Sequence, residues 1–239
     1  MLIERRFNGP PGSGNGGYTA GLVASRLDGA AAVEVTLRSP PPLETPLRVG
    51  ATGGGIEVYA GERLVAAAVP VAPETIGEAP PRVDFAGAAR AAEGYRGFVE
   101  HPFPTCYVCG PRRPAGDGLE IYPGPVGDGR TAAPWRVPEG ASALTVWAAL
   151  DCPGGWAIIG PSRPYVLGRI AAEVRRVPVA GSRCVVTGAL VSSEGRKAVV
   201  RTALYAPDGE PLAVARSTWI AVIKEASSER TAGTQPNGA

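Results

Sequence analysis

The sequence contains a single histidine, and this scarcity excludes several kinds of catalytic site. His101 lies in a proline-rich stretch, and no Gly-x-Ser-x-Gly turn is present to carry a nucleophilic serine. A Ser-His-Asp triad is therefore not expected. A hydratase site that pairs an aspartate with a histidine is disfavoured too, because we expect His101 to lie far from the helices.

The chain also lacks a charge excess and a long uninterrupted apolar run. Its formal net charge is +2 over 239 residues, too small to indicate a nucleic-acid or membrane partner. The longest apolar run, residues 141–159, contains Asp151 and is short for a membrane span. With 44% hydrophobic and 19% charged residues, the sequence is typical of a globular protein.

Cysteine is scarce as well, with four residues, of which only Cys106 and Cys109 are close in sequence. This pattern does not resemble a disulfide framework. No apolar signal-peptide core follows Met1, so we expect a cytoplasmic protein with reduced thiols.

The Cys106-x-x-Cys109 pair leaves a zinc site open as an alternative, but a structural zinc ion needs four ligands. His101 is a candidate third ligand. Cys152 and Cys184 fall in a predicted helix and a predicted strand, without the spacing of a second ligand pair. We therefore expect no metal and no cofactor.

An internal repeat is the most informative positive feature. Residues 58–68 and residues 204–215 both read as a strand, a tight glycine-containing turn and a returning strand. Upstream of these, residues 33–38 resemble residues 171–176. A repeat of this length predicts two like domains that face each other and share a site.

Hydrophobic spacing predicts a helix followed by antiparallel strands in each half. A helix is expected over residues 18–27, and the run 141–159 suits a buried helix that Pro153 ends or kinks. The other predicted elements are a first strand at 1–6, strands at 32–38, 46–51, 55–60, 64–71, 130–136, 166–176, 183–192, 197–206 and 211–222, a turn at 124–129 and a short helix near 86–93.

These elements define an α+β fold of two halves. The predicted boundaries are a first half at 1–75, a connector at 76–104, a second half at 105–223 and a disordered tail at 224–239. In each half, a curved sheet wrapped around the helix would bury that helix on every side, which accounts for the apolar second helix.

Four segments carry a resemblance to a known family: Asn-Gly-Gly-Tyr-Thr-Ala at 15–20, Cys-Tyr-Val-Cys-Gly at 106–110 with Gly-Leu-Glu-Ile at 118–121, Leu150-Asp151, and the strand at 215–220. In these segments the chain resembles double-hotdog proteins of the acyl-CoA thioesterase-like group, in particular phenylacetyl-CoA thioesterase-type hotdogs. The resemblance implies two tandem hotdog halves. It also implies that the Cys-Gly opening is a turn feature.

The chain departs from the family pattern in a complementary way. The family's helix often opens with His-Gly-Gly and carries an acid nine residues later. Here Asn15 occupies the histidine position, and Ala24 stands where the acid is expected. In the second half Asp151 is present, but the Gly-Gly is missing after Ser142. Since hotdog sites lie between subunits, the resemblance implies one complete composite site and one vestigial site.

The chemistry of such a site assigns a role to each residue. Asp151 is the predicted general base or nucleophile, because a carboxylate buried in an apolar helix is costly without a purpose. The backbone N–H groups of Gly16 and Gly17 at a helix N-terminus would stabilise the oxyanion of a thioester, and Asn15 would orient substrate or water. The structural alternatives are a capping role for Asp151 after the Pro153 break and a simple turn at the glycines.

Five further residues are candidate substrate contacts. Tyr18 could line an acyl tunnel or fill the core, and Ser142 and Thr145 could line the pocket or cap the helix. Arg196 and Lys197 could bind the CoA diphosphate or form a solvated hairpin end.

The sequence thus favours a thioester hydrolase acting on acyl-CoA or acyl-carrier thioesters. Since hotdog proteins often associate further, the resemblance also allows a homodimer of double hotdogs. The alternatives are a non-catalytic acyl- or polyketide-binding module and, with less support, a hydratase or dehydratase on the same fold. The acyl chain, head group and pathway are not specified by the sequence.

Overall fold

The computed structural model describes residues 1–160 and 163–222. The predicted tail at 224–239 lies outside the described residues. None of the helices in the described part of the chain is long and apolar enough to cross a membrane.

Ten strands and four α-helices make up the described fold. The helices are α1 (Gly16–Ala24), α2 (Phe85–Glu93), α3 (Ala143–Ala149) and α4 (Cys152–Trp156). The strands are β1 (Ala32–Leu37), β2 (Arg48–Thr52), β3 (Gly55–Ala60), β4 (Arg63–Val71), β5 (Gly124–Gly127), β6 (Arg130–Arg136), β7 (Tyr165–Val174), β8 (Arg183–Glu194), β9 (Lys197–Tyr205) and β10 (Pro211–Ala221).

All ten strands form a single sheet in the order β2-β3-β4-β1-β7-β10-β9-β8-β6-β5. About the junction of β1 and β7, the four strands β1 to β4 on one side correspond to β7 to β10 on the other, while β6 and β5 extend the second side beyond this correspondence. At this junction Ala32 pairs with Glu173 and Thr36 with Arg169 in an antiparallel register. The repeated hairpins are therefore β3–β4 and β9–β10, placed on opposite sides of the junction.

The helices lie on both faces of this sheet. Alternate residues of β6 point to opposite faces: Ala133 belongs to the main core with α1, α3 and α4, whereas Ala132 packs against Ala88 of α2. The main core thus surrounds the three helices that carry the candidate site. The boundaries of the two halves stay a prediction, because one sheet runs through both.

Three local predictions differ from the structure. Residues 1–6 form no strand; a 3₁₀ turn spans Arg5–Phe7. The predicted turn at 124–129 contains the short strand β5. The apolar run breaks at residues 150–151 rather than at Pro153, which lies in the first turn of α4, where a missing N–H costs no helical hydrogen bond.

Helices α1 and α3 approach closely because glycines face the contact. A Cβ built on Gly17 would lie 2.6 Å from the Trp147 carbonyl oxygen, and one on Gly21 would lie 2.7 Å from Trp147 Cβ. Any side chain at these positions would push the helices apart. The close approach brings the start of α1 against the end of α3, where Asp151 lies.

Candidate active site

Asp151 lies at the junction of α3 and α4, with its carboxylate against the start of α1. Its Oδ2 accepts two hydrogen bonds, one from Asn15 Nδ2 and one from the Gly17 backbone N–H, both at 2.9 Å. The residue is only 2% exposed. Its side chain makes no capping bond to α4. The carboxylate therefore joins the two halves of the chain instead of capping the following helix.

Asn15 makes this contact because it is the N-cap of α1. Its Oδ1 accepts the Tyr18 backbone N–H at 2.8 Å, which satisfies a donor that the first helical turn leaves free. With the oxygen held in this way, the amide nitrogen points to Asp151. The same cap that begins the helix thus orients the carboxylate of the other half.

Burial dominates the electrostatics of Asp151. Loss of solvent, with a smaller effect of the nearby Cys106, raises its pKa to about 7. The hydrogen bonds from the Gly17 N–H and from Asn15 oppose this rise in pKa. The second oxygen, Oδ1, is buried and accepts no hydrogen bond from any described residue. One oxygen is therefore held in place, and the other is available for a proton.

A cavity of about 520 Å³ opens beside Asp151. Residues from both halves line it, and its walls are mainly apolar, including Leu37, Trp156, Ile159, Tyr165, Leu167 and Trp219. A second cavity of about 520 Å³ shares Trp156 and Ile159 with the first. Such a space suits an apolar chain that ends at a single buried polar group.

Three cysteines and the histidine gather at the wall of the same cavity. The Sγ atoms of Cys106, Cys109 and Cys152 all lie within 4.8 Å of one another, and His101 Nε2 lies 3.3 Å from Cys109 Sγ. The expectation that His101 lies far from the helices is wrong, since its ring centroid is 5.0 Å from that of Trp156 in α4. Cys152 lies in a helix as expected, but it meets Cys106 and Cys109 without any motif spacing. Both residues are brought in by tertiary packing, since Cys152 begins α4 directly after Asp151.

Gly16 and Gly17 take different positions at the helix start. The Gly17 N–H is already bound to Asp151. Gly16 lines the cavity, and its N–H makes no hydrogen bond to any described residue. Gly16, rather than Gly17, thus offers a backbone donor to a bound molecule.

Tyr18 lies outside the cavity lining. Its ring stacks on Phe7 with centroids 3.8 Å apart and meets Tyr107 edge-on at 6.0 Å. This aromatic cluster packs the start of α1 against the 103–110 segment of the second half. The geometry favours the core role for Tyr18.

Ser142 and Thr145 also lie away from the residues that line the cavity. The Ser142 backbone N–H donates to Thr145 Oγ1 at 3.2 Å, and the two hydroxyls lie 3.4 Å apart. This is the geometry of a helix start, which favours the capping alternative for both residues.

Arg196 and Lys197 lie at the β8–β9 turn with exposed side chains. Lys197 pairs with Ile220 of β10, and Ile220 lines the cavity. The two basic residues therefore lie near the cavity without entering it. Arg38, which sequence reasoning did not single out, is a basic residue of the lining itself.

Replacing Asn15 by alanine should weaken both the helix start and the carboxylate contact. We expect a loss of about 1 kcal/mol of stability from the missing cap and a change in Asp151 orientation. Circular dichroism with thermal unfolding measures the first effect. Asp84→Ala is a matched control, since Asp84 caps α2 by accepting the Gly87 N–H and does not line the cavity.

The two cap variants should separate in activity although they lose similar stability. For the thioester hydrolysis that the sequence resemblance implies, Asn15→Ala should reduce turnover at least tenfold, because a misplaced group in such a site loses rate steeply. Asp84→Ala should retain wild-type turnover. Equal activity in the two variants would show that Asn15 is only a cap.

Comparison with known proteins identifies the fold. No protein-family model and no curated protein sequence matches the chain. Among solved structures, a proposed thioesterase from Novosphingobium aromaticivorans is 18% identical, with 92% of this chain and 93% of that chain covered and a TM-score of 0.57. The tesB protein of Mycobacterium avium subs paratuberculosis is 15% identical, with 90% of each chain covered and a TM-score of 0.56.

A protein of unknown function with a hot dog fold from Alicyclobacillus acidocaldarius is 12% identical, with 93% of this chain and 92% of that chain covered and a TM-score of 0.57. These matches run along nearly the whole chain and agree with the repeated four-strand order in the ten-stranded sheet. The fold class predicted from the sequence is confirmed: the chain folds as a double hotdog.

Proposed function

We propose that this chain is a thioester hydrolase acting on acyl-CoA or acyl-carrier thioesters, with one composite site between its two halves. The observation that carries the proposal is the Asp151 carboxylate, buried at the wall of an apolar cavity with one oxygen fixed and the other without a partner. The structural neighbour from Novosphingobium aromaticivorans, a proposed thioesterase, supports the same reaction class.

In the proposed reaction, Asp151 Oδ1 accepts a proton from water as the water attacks the thioester carbonyl. Asn15 and Gly17 hold Oδ2, so the carboxylate keeps one orientation during the transfer. General base catalysis of this kind contributes about 10²- to 10⁴-fold to the rate. A direct attack by Asp151 through an anhydride is the alternative use of the same oxygen.

The oxyanion that forms would lie at the start of α1. Gly16 lines the cavity as the first residue of α1, and its N–H, which has no partner among the described residues, belongs to the positive end of the helix dipole. One such donor is worth about 3 kcal/mol of transition-state stabilisation. Gly17 then acts through Asp151, since its N–H is bound to the carboxylate.

The substrate is proposed from the shape and charge of the cavity. Its apolar walls would hold the acyl chain, and Arg38, Arg196 and Lys197 lie where a CoA or carrier phosphate could bind. The cytoplasm as location and a homodimer as assembly stay predictions.

Narrowing the cavity should change substrate choice. Leu37 is half-buried at the end of β1 and lines the cavity, so Leu37→Trp should raise KM for medium-chain acyl-CoAs at least tenfold. Short-chain substrates should be affected less. The measurement is kcat and KM across a chain-length series, with Val69→Trp as the control on an exposed site of β4. A uniform effect on all chain lengths would contradict an acyl role for this cavity.

A screen for CoA release across short-chain, medium-chain and aryl thioesters tests the proposal directly. Tight binding without turnover across the panel would favour the non-catalytic binding module.

The hydratase alternative gains no support from the nearby histidine, because both ring nitrogens of His101 already have contacts. Its Nδ1 accepts the Phe103 N–H at 2.8 Å, and its Nε2 faces Cys109 Sγ.

A further inference from the structure

The three cysteines at the cavity wall have the spacing of a metal site. The Sγ atoms of Cys106 and Cys152 are 3.9 Å apart, and Cys109 Sγ completes a set within 4.8 Å. In a tetrahedral site with zinc–sulfur bonds of about 2.3 Å, the sulfur atoms lie about 3.8 Å apart. The three thiols therefore surround a point that a single ion can reach with small side-chain adjustments.

The Cys106–Cys109 turn is built to present two sulfur atoms to the same point. The Gly110 N–H donates to the Cys106 carbonyl at 2.9 Å, which closes the turn between the two cysteines. A Cβ on Gly110 would lie 2.4 Å from the Cys106 nitrogen, so the tight turn requires glycine there.

Two side-chain donors lie beside the sulfur atoms of the cluster. Trp156 Nε1 donates toward Cys109 Sγ at 3.5 Å, and Asn15 Nδ2 lies 3.8 Å from Cys106 Sγ. All three cysteines are buried, so hydrogen bonds to metal-bound sulfur atoms would come from protein groups and not from solvent. His101 Nε2 lies 3.3 Å from Cys109 Sγ but outside the set of atoms that are all within 4.8 Å of one another, so it would have to move inward to become a ligand.

We propose that Cys106, Cys109 and Cys152 bind a thiophilic divalent cation of the zinc class, with His101 Nε2 in the fourth position. Three thiolates and one imidazole form a donor set that zinc prefers. On binding, the ion displaces the thiol protons, which are released to solvent. The ion would tie the 101–110 segment to the start of α4, next to Asp151. This proposal does not depend on the thioesterase reaction.

His101 should be the weakest of the four ligands. In the structure its Nδ1 accepts the Phe103 N–H, which places the ring proton on Nε2, toward Cys109. Coordination through Nε2 moves that proton to Nδ1 and breaks the Phe103 bond. His101→Ala should therefore bind the ion at least tenfold more weakly but still bind it through the three thiolates.

Cobalt substitution tests the site on the full chain. The reduced protein, stripped with a chelator and kept anaerobic, is titrated with Co²⁺ and then with Zn²⁺. We expect the thiolate-to-cobalt charge-transfer band and the intense visible bands of a tetrahedral site, saturating at one ion per chain and lost when Zn²⁺ displaces cobalt. Native mass spectrometry of the wild-type protein should show one bound zinc ion.

The fourth cysteine supplies a matched control. Cys184 is buried in β8, outside the cluster, so Cys184→Ser should keep the cobalt spectrum, whereas Cys152→Ser should lose it. Circular dichroism of both metal-free variants reports whether they fold. The proposal would be overturned if both variants lost the cobalt spectrum equally. It would also be overturned if the wild-type protein showed neither tetrahedral cobalt bands nor a bound ion in the mass spectrum. A Cys106–Cys152 disulfide in place of a bound ion would overturn it too.

Discussion

Asp151→Asn is expected to reduce kcat for acyl-CoA hydrolysis by about two to four orders of magnitude, the usual contribution of a general base. The substitution is nearly isosteric. Its amide oxygen can keep the position of Oδ2 and accept from Asn15 Nδ2 and Gly17 N–H. Its amide nitrogen then replaces Oδ1, the oxygen without a partner, and cannot accept a proton from water.

Because both hydrogen bonds can persist, the variant should fold like the wild type. Thermal unfolding followed by circular dichroism checks this, and kcat and KM come from CoA release. Asp128→Asn is a suitable control, since Asp128 lies in the β5–β6 turn with a φ of 50°, a conformation that asparagine tolerates. Wild-type turnover in a folded Asp151→Asn protein would rule out Asp151 as base and as nucleophile.

The fold was predictable because its determinants are local and repeated. The strands of the second hairpin, β9 and β10, repeat the pattern of β3 and β4, and β1 and β7 repeat each other upstream. Matching patterns in two halves constrain the sheet order in a way that a single hairpin cannot. The short strand β5 was missed because its residues, Gly124–Gly127, have the composition of a turn and pair only with β6.

The carboxylate was also predictable, since an acid inside an apolar run is conspicuous in the sequence. Its partners were harder to predict. Gly17 was expected as an oxyanion donor, but its N–H bonds to Asp151, a contact across 134 positions of the chain. Whether an N–H faces a cavity or another helix depends on how α1 and α3 pack, and no local pattern records that packing.

The cysteine cluster could not be assembled from spacing alone. Cys106 and Cys109 share a turn. Cys152 is the first residue of α4, just after the end of α3, and it meets Cys106 only through tertiary packing. His101 lies in a proline-rich segment, and the sequence of that segment has no periodicity from which the path of the chain could be predicted. A residue-by-residue search for a second ligand pair fails in such a case, because the ligands come from three separate segments.

Gly17→Ala is expected to lower both stability and activity. The new Cβ would lie 2.6 Å from Asp151 Cβ and 2.6 Å from the Trp147 carbonyl oxygen, so α1 and α3 would have to separate. Overpacking of this kind costs about 1–3 kcal/mol, more than the 0.5–1 kcal/mol or so that alanine gains over glycine in a helix. The net change is a loss, visible as a lower Tm.

Activity should fall further than stability, because the displaced backbone also carries the N–H that holds Asp151. A shift of about 1 Å in such a group can cost roughly 100-fold in rate. Gly53→Ala is the control, since a Cβ there meets no atom within 4 Å, and it should change neither Tm nor turnover. Because Gly17 links helix packing to the carboxylate, a Gly17→Ala protein that kept wild-type Tm and turnover would contradict both the α1–α3 contact and the site built on it.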